Sequence, residues 1–189
     1  VPKKIALCGA NAHWHRSLLE CIGQLCHSST GIVHQSFVSY GTIELQIAVG
    51  GMSIQLVSLQ NAMLYERLAV NHLLKGVDGI IYLIGSRYPA NRDVMYGAGD
   101  QQRQFQTYRH YAQAMGLDWQ SLPVLWVLVT NIPDLFKPLR AGCVTDNPLA
   151  KVISLHQSPM ELDLSNTVQV QQVWRAALTL CGIAAEGAE

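Results

Sequence analysis

Seven histidines, five cysteines and a few hydroxyls are the residues of this chain with chemistry to offer. His13-Trp14-His15 sets two imidazoles one residue apart, a spacing that two metal ligands on an extended segment can use. A third ligand is not evident: His27 stands beside Cys26, but Cys21 and Cys26 lack zinc-finger spacing and no second pair follows. Solvated loop histidines are the plainer reading, and no metal is expected. Ser17, Ser58 and the cysteines are candidate nucleophiles, yet none sits in a Gly-x-Ser-x-Gly elbow or another strained turn. Asp93, Asp100 and Glu66 have no spacing that sets an acid against a base and read as solvated charges. No catalytic residue is expected from any of these groups.

The elements that must position such residues follow from composition and periodicity. With 189 residues, 49% of them hydrophobic, the chain fits one domain spanning 1–189 with a sizeable core. Thirteen basic residues balance thirteen acidic ones, which removes the electrostatic footprint of a nucleic-acid or acidic-membrane binder. Protein or small-molecule partners are the remaining classes. The odd, scattered cysteines, with Cys8 and Cys181 inside apolar runs, predict small packed thiols in a reducing, cytoplasmic compartment. Val1-Pro-Lys-Lys4 leads straight into a strand-like run, and the last residues hold no prenylation cysteine, so no direct membrane anchor is expected.

Ile5 to Cys8 is a short apolar run ending at Gly9, followed by Leu18, Leu19, Ile22 and Leu25 at helical spacing. Ile43, Leu45, Ile47 and Val49 alternate, Gly50-Gly51 supplies a two-residue turn, and Met52, Ile54 and Leu56 resume the alternation, which predicts a hairpin. Leu64 to Lys75 predicts a helix capped by Gly76, and Gly79 to Ile84 a strand buried on both faces. A helix over 101–116 buries Phe105, Tyr108, Ala112 and Met115; Pro123 to Val129 is another buried strand, and Val152 to Leu155 the last. The closing helix starts near Ser165 and Asn166 and buries Val170, Val173, Trp174, Ala177 and Cys181. Residues 86–100 form a polar insertion. This alternation demands an α/β fold with a mostly parallel six-stranded sheet, one antiparallel hairpin at its edge, and helices on both faces.

The order of elements, with the hairpin after the first helix, resembles the small Ras-like GTPases and their three-layer P-loop fold. The wording Lys75-Gly-Val-Asp-Gly-Ile-Ile81, then Leu122-Pro-Val124 and Thr130-Asn-Ile-Pro-Asp-Leu135, is most similar to the bacterial gliding-motility GTPase MglA and its relatives. In such proteins the first loop reads G-x-x-x-x-G-K-[ST], so that backbone N–H groups wrap the phosphates and the lysine neutralises them. Here Gly9 is retained, Trp14 stands at the second glycine, His15 at the lysine, and Arg16 at the hydroxyl residue that would hold magnesium. Sliding by one residue puts Arg16 and Ser17 on the lysine and hydroxyl positions but loses the first glycine. The D-x-x-G segment falls on Leu59 to Ala62, with no carboxylate at Leu59 or Ser58, and the catalytic glutamine position falls on Met63. Thr30 stands where a switch threonine would.

Of the guanine-reading N-K-x-D, Asn131 and Asp134 remain and the lysine is gone. Asp134 could accept hydrogen bonds from a guanine edge, or Asn131 to Asp134 could simply shape a turn. The last base-contacting loop maps near Ser154-Leu-His-Gln157 and does not match. Trp14 and Trp119 lie in loop-like contexts where an aromatic either plugs a cavity or anchors a partner, the cavity for Trp14 being the vacated phosphate site, whereas Trp126 and Trp174 belong in the core.

The resemblance, with these losses, implies a nucleotide-independent pseudo-GTPase without cofactor that recognises a protein through surfaces matching the switch regions, roughly Ser28 to Tyr40 and Gln60 to Leu68. It further implies a roadblock-type regulator, a true GTPase or a polarity or motility component as partner. The rival is a divergent GTPase that retains weak GDP, GTP or guanosine binding.

Overall fold

Strands with apolar residues at successive positions cannot leave either face in water, and this requirement organises the molecule. The computed structural model describes residues 2–9, 12–28, 33–38, 42–59, 66–85, 98–131 and 159–183. Along the chain come β1 (Lys3–Gly9), α1 (Ala12–Ser28), β2 (Val33–Val38), β3 (Thr42–Val49), β4 (Met52–Leu59), α2 (Arg67–Leu74) and β5 (Gly79–Gly85). They are followed by α3 (Ala98–Ala114), a 3-10 turn at Trp119–Ser121, β6 (Val124–Asn131), β7 (Met160–Asp163) and α4 (Thr167–Leu180). The strands form one sheet in the order β2-β3-β4-β1-β5-β6-β7. β2, β3 and β4 pair antiparallel, and every pairing from β4 onward is parallel.

The two-residue period of the strands sorts the core into two layers. Ile5 and Leu7 of β1, Ile81 and Leu83 of β5, and Val127 and Val129 of β6 pack with α1 and α4 on one face. Ala6, Cys8, Ile80, Tyr82, Ile84 and Leu128 pack with α2 and α3 on the other. This is the three-layer arrangement expected from the alternating pattern.

The local signals behave as their chemistry requires. Gly50 and Gly51 both take positive φ, 56° and 77°, and close the hairpin at Val49 opposite Met52. Gly76, with φ 68°, follows the last residues of α2 as a left-handed cap. Asn166 caps α4, its side-chain oxygen accepting from the N–H groups of Val168 and Gln169 at 3.1 and 3.3 Å. Cys8 and Cys181 are buried, and burial pushes both thiols up, Cys181 to about 11.

Two strands depart from the sequence expectation. The hairpin carries an additional edge strand, β2, because residues 33–38 pair with β3 from Val33 opposite Ile47 to Val38 opposite Thr42. The run Val-His-Gln-Ser-Phe-Val has no clean alternation, so only the pairing reveals it. The last strand is β7, at Met160–Asp163. The expected strand at Val152 to Leu155 lies outside the described residues, as does most of the 86–100 insertion, of which residues 98–100 begin α3.

Aromatic residues hold α3 to the sheet. The Tyr82 ring meets Phe105, Tyr108 and Trp119 edge to face at 5.6, 6.0 and 6.2 Å. Trp119 is buried there, so of its two readings it fills space beneath α3. Trp174 is buried, while Trp126 is half-buried against Tyr82. At the opposite edge from the strand carboxyl ends, the Lys4 ammonium donates to the carbonyls of His72 and Lys75 at 2.7 and 2.9 Å and so pins the end of α2. Burial pulls the Lys4 pKa down, and the nearby Glu44 opposes that shift. No helix among the described residues is long and apolar enough to cross a membrane.

Candidate functional site

In open parallel sheets, ligands bind outside the carboxyl ends of the strands. The register of β1 with its neighbours brings Gly9, Ser58 and Leu59 to that edge on one side, and Gly85 and Asn131 on the other. Residues suggested by the resemblance therefore converge on one place. Asn131 ends β6 there; Thr30, Ala62, Met63, Asp134 and Ser154 to Gln157 lie outside the described residues.

Little chain separates β1 from α1. Gly9 ends the strand and Ala12 already begins the helix, leaving only residues 10 and 11 between them. A loop of the form G-x-x-x-x-G-K would hold five residues between Gly9 and His15, and here positions 12, 13 and 14 of that loop are helical. Each site residue then takes a position dictated by the helix or the sheet.

Gly9 has φ 77°, and a Cβ there would overlap the Leu83 carbonyl oxygen and approach Cε1 of Tyr82 to 2.5 Å. Close contact between β1 and β5 accounts for this glycine. Gly9→Ala should therefore cost at least about 2 kcal/mol, from the positive φ and the overlap together. A denaturant midpoint unchanged from that of the parent chain would show that neither constraint holds.

Trp14, Leu18 and Ile22 recur every fourth residue and form the buried stripe of α1, with Trp14 at 4% exposure. The indole packs in the layer shared with α4, so the exposed-anchor reading does not hold. Arg16 points the other way: it is exposed and pairs with Glu20 one turn on, at 3.4 Å. Ser17 beside it is half-buried. The slid register, which needs Arg16 turned toward a phosphate, gains no support from this orientation.

His15 lies fully buried between the ends of β1 and β4. Its Nε2 is 2.6 Å from the carbonyl oxygen of Gly9 and must carry the proton, since a carbonyl only accepts. Nδ1, 2.8 Å from Ser58 Oγ, then accepts from the hydroxyl. Burial depresses the imidazole pKa to about 4, against the opposing pull of the Gly9 and Cys8 carbonyls, so the ring is neutral at pH 7. Both nitrogens are engaged within the protein, which withdraws His15 from the pair suggested by His13-Trp14-His15; the side chains of His13 and His27 lie outside those described. No group of three metal-ligating side chains occurs among the described residues.

Leu59, at the magnesium-carboxylate position, has no exposed surface and packs with Ala69, Val70 and Leu73 of α2. Ser58 is the residue sequence reasoning undervalued, weighing it as a nucleophile and as a missing carboxylate but not as a partner for His15. The signal was present: it is the single polar side chain in Leu56-Val-Ser-Leu59, and a buried hydroxyl needs a partner.

No family model matches the chain, and no curated protein does. Among solved structures, a chain described as nucleolar GTP-binding protein 1 from Plasmodium falciparum superposes with a TM-score of 0.57 at 14% identity, over 96% of this chain and 87% of that one. In all, 519 solved chains resemble this one, a breadth at which fold alone does not select a function. The protein thus has a GTPase-like α/β fold, and the residues at the carboxyl edge of its sheet must carry the rest of the case.

Proposed function

We propose that the protein is a pseudo-GTPase: a GTPase-like scaffold that acts by binding a protein partner, without guanine nucleotide and without hydrolysis. One observation carries this reading. The lysine position of the phosphate loop is His15, buried, neutral and bonded to Gly9 and Ser58, so this position presents no cation to the place where phosphates would lie. The neighbouring positions support it: Trp14 and Leu59 are core residues, and Arg16 is turned outward onto Glu20. A site that binds triphosphate needs N–H groups, a cation and a magnesium ligand together, and the described positions for the cation and the metal ligands, His15, Arg16 and Leu59, have other uses here.

The partner surface proposed is the one matching the switch regions, 28–40 and 60–68. Leu68, at 68% exposure the most exposed large apolar residue described, lies within it. The sequence wording shared with MglA-like proteins points to a roadblock-type regulator, a true GTPase or a polarity component as partner. The rival, weak guanine binding, rests on Asn131 at the end of β6 together with Asp134.

Freshly purified protein, denatured and its supernatant resolved by ion-exchange chromatography, should release no stoichiometric guanine nucleotide. Close to one GDP or GTP per chain would overturn the proposal.

A further inference from the structure

β1 is paired to different lengths on its two sides. Toward β5 the ladder runs to Gly9 opposite Leu83, at the end of the strand. Toward β4 it stops at Ala6 opposite Val57, although Ser58 and Leu59 still pair with Ile43 and Thr42 of β3. β1 and β4 therefore part at their carboxyl ends. They also feed opposite faces of the sheet, β1 leading into α1 in the layer of Leu7 and Trp14, and β4 leading toward α2 in the layer of Leu59 and Val70. Adjacent strands whose connections diverge in this way frame the crevice in which an open α/β sheet takes its ligand.

We infer that the imidazole of His15 is a built-in occupant of this crevice, a latch that holds the parted ends of β1 and β4 together where another protein of this architecture would rely on a bound ligand. Its Nε2–H donates to the Gly9 carbonyl at 2.6 Å and its Nδ1 accepts from the Ser58 hydroxyl at 2.8 Å. One ring thus supplies a rung across the gap where the main chain supplies none. His15 and Ser58 have no exposed surface, so water does not compete for either bond. Trp14, Leu18 and Ile22 seat α1 in the core on its other side and so aim the ring at the strand ends. His15 is therefore a positioning residue for Leu59, the residue from which the proposed partner surface 60–68 continues.

The latch deepens the proposed function and rests on it only in that last step. Its test uses neither nucleotide nor partner, so either can fail alone. His15→Gly removes the ring and leaves Gly9 and Ser58 in place. At about pH 8, where a free imidazole is largely neutral, added imidazole should raise the melting midpoint of this variant saturably and leave that of the parent chain unchanged. Pyrrole, which donates but has no second nitrogen to accept, should raise it less. No saturable rise, an equal rise in the parent chain, or an equal rise with pyrrole overturns the latch.

Should His15→Gly fail to fold, hydrogen exchange of Ser58→Ala decides. Relative to the parent chain, the amides of 57–59 should speed up by about tenfold more than those of β5 and β6. Leu178→Ala, a truncation of a fully buried residue in α4, should instead speed exchange evenly through global unfolding. A Ser58→Ala chain whose β4 end speeds up no more than β5 and β6 overturns the inference.

Discussion

Trp14→Ala should lower the unfolding free energy by about 3 to 5 kcal/mol, as truncation of a large buried aromatic does. The indole is the first member of the Trp14-Leu18-Ile22 stripe and packs with Ile5, Leu7 and Trp174 in one layer. Alanine keeps the helix propensity of α1, so the loss measures packing and not backbone freedom. Urea denaturation followed by tryptophan-independent circular dichroism gives the change directly. A loss below about 0.5 kcal/mol is the behaviour of a surface position and would contradict the burial described. The cost belongs to the core between the sheet, α1 and α4.

The second large effect is a dependence on pH that originates at His15. Its folded pKa, about 4, lies below the ordinary 6.5 of an exposed imidazole. The unfolded chain therefore binds more protons between these values. The stabilising contribution is fully present above pH 6.5 and is lost as pH falls toward 4, amounting to about 3 kcal/mol. His15→Gln removes the titration while keeping an amide donor for the Gly9 carbonyl. The stability advantage of the parent over this variant should shrink by about 3 kcal/mol between pH 7 and pH 4. An advantage that does not change with pH would show that the imidazole titrates as if in water, and the Gly9–Ser58 bridge would then be wrong.

Much of the fold was legible because its signals are local. The Gly50-Gly51 turn, the Gly76 and Asn166 caps and the doubly apolar runs of β1, β5 and β6 each declare their conformation in a few residues. β2 was not legible, since His34-Gln-Ser36 breaks the alternation and the strand exists through its ladder with β3. At the site, sequence alone did not show which way Trp14 and His15 face. Trp14 and His15 are adjacent on a helix, about 100° apart, so one faces the α4 layer and the other the strand ends. Which residue does which depends on where α1 begins, and a start at Ala12 is marked in the sequence only by the preceding Asn11, a favoured N-cap type, with Trp14 rather than Glu or Gln three residues on to complete a capping box. The His15–Ser58 bond spans 43 residues of sequence and becomes visible only when β1 and β4 lie side by side.

Isothermal titration of nucleotide-stripped protein with GTP, GDP and guanosine, each with and without magnesium, tests the loss of nucleotide binding most directly. No heat beyond dilution is predicted for either nucleotide at concentrations up to about 1 mM, a ceiling of roughly 4 kcal/mol in binding free energy. Weak, magnesium-independent heat from guanosine would favour the rival at Asn131 and Asp134. Micromolar or tighter binding of GTP or GDP that requires magnesium would contradict the proposal, because His15, Arg16 and Leu59 as placed offer neither the cation nor the metal ligand it demands.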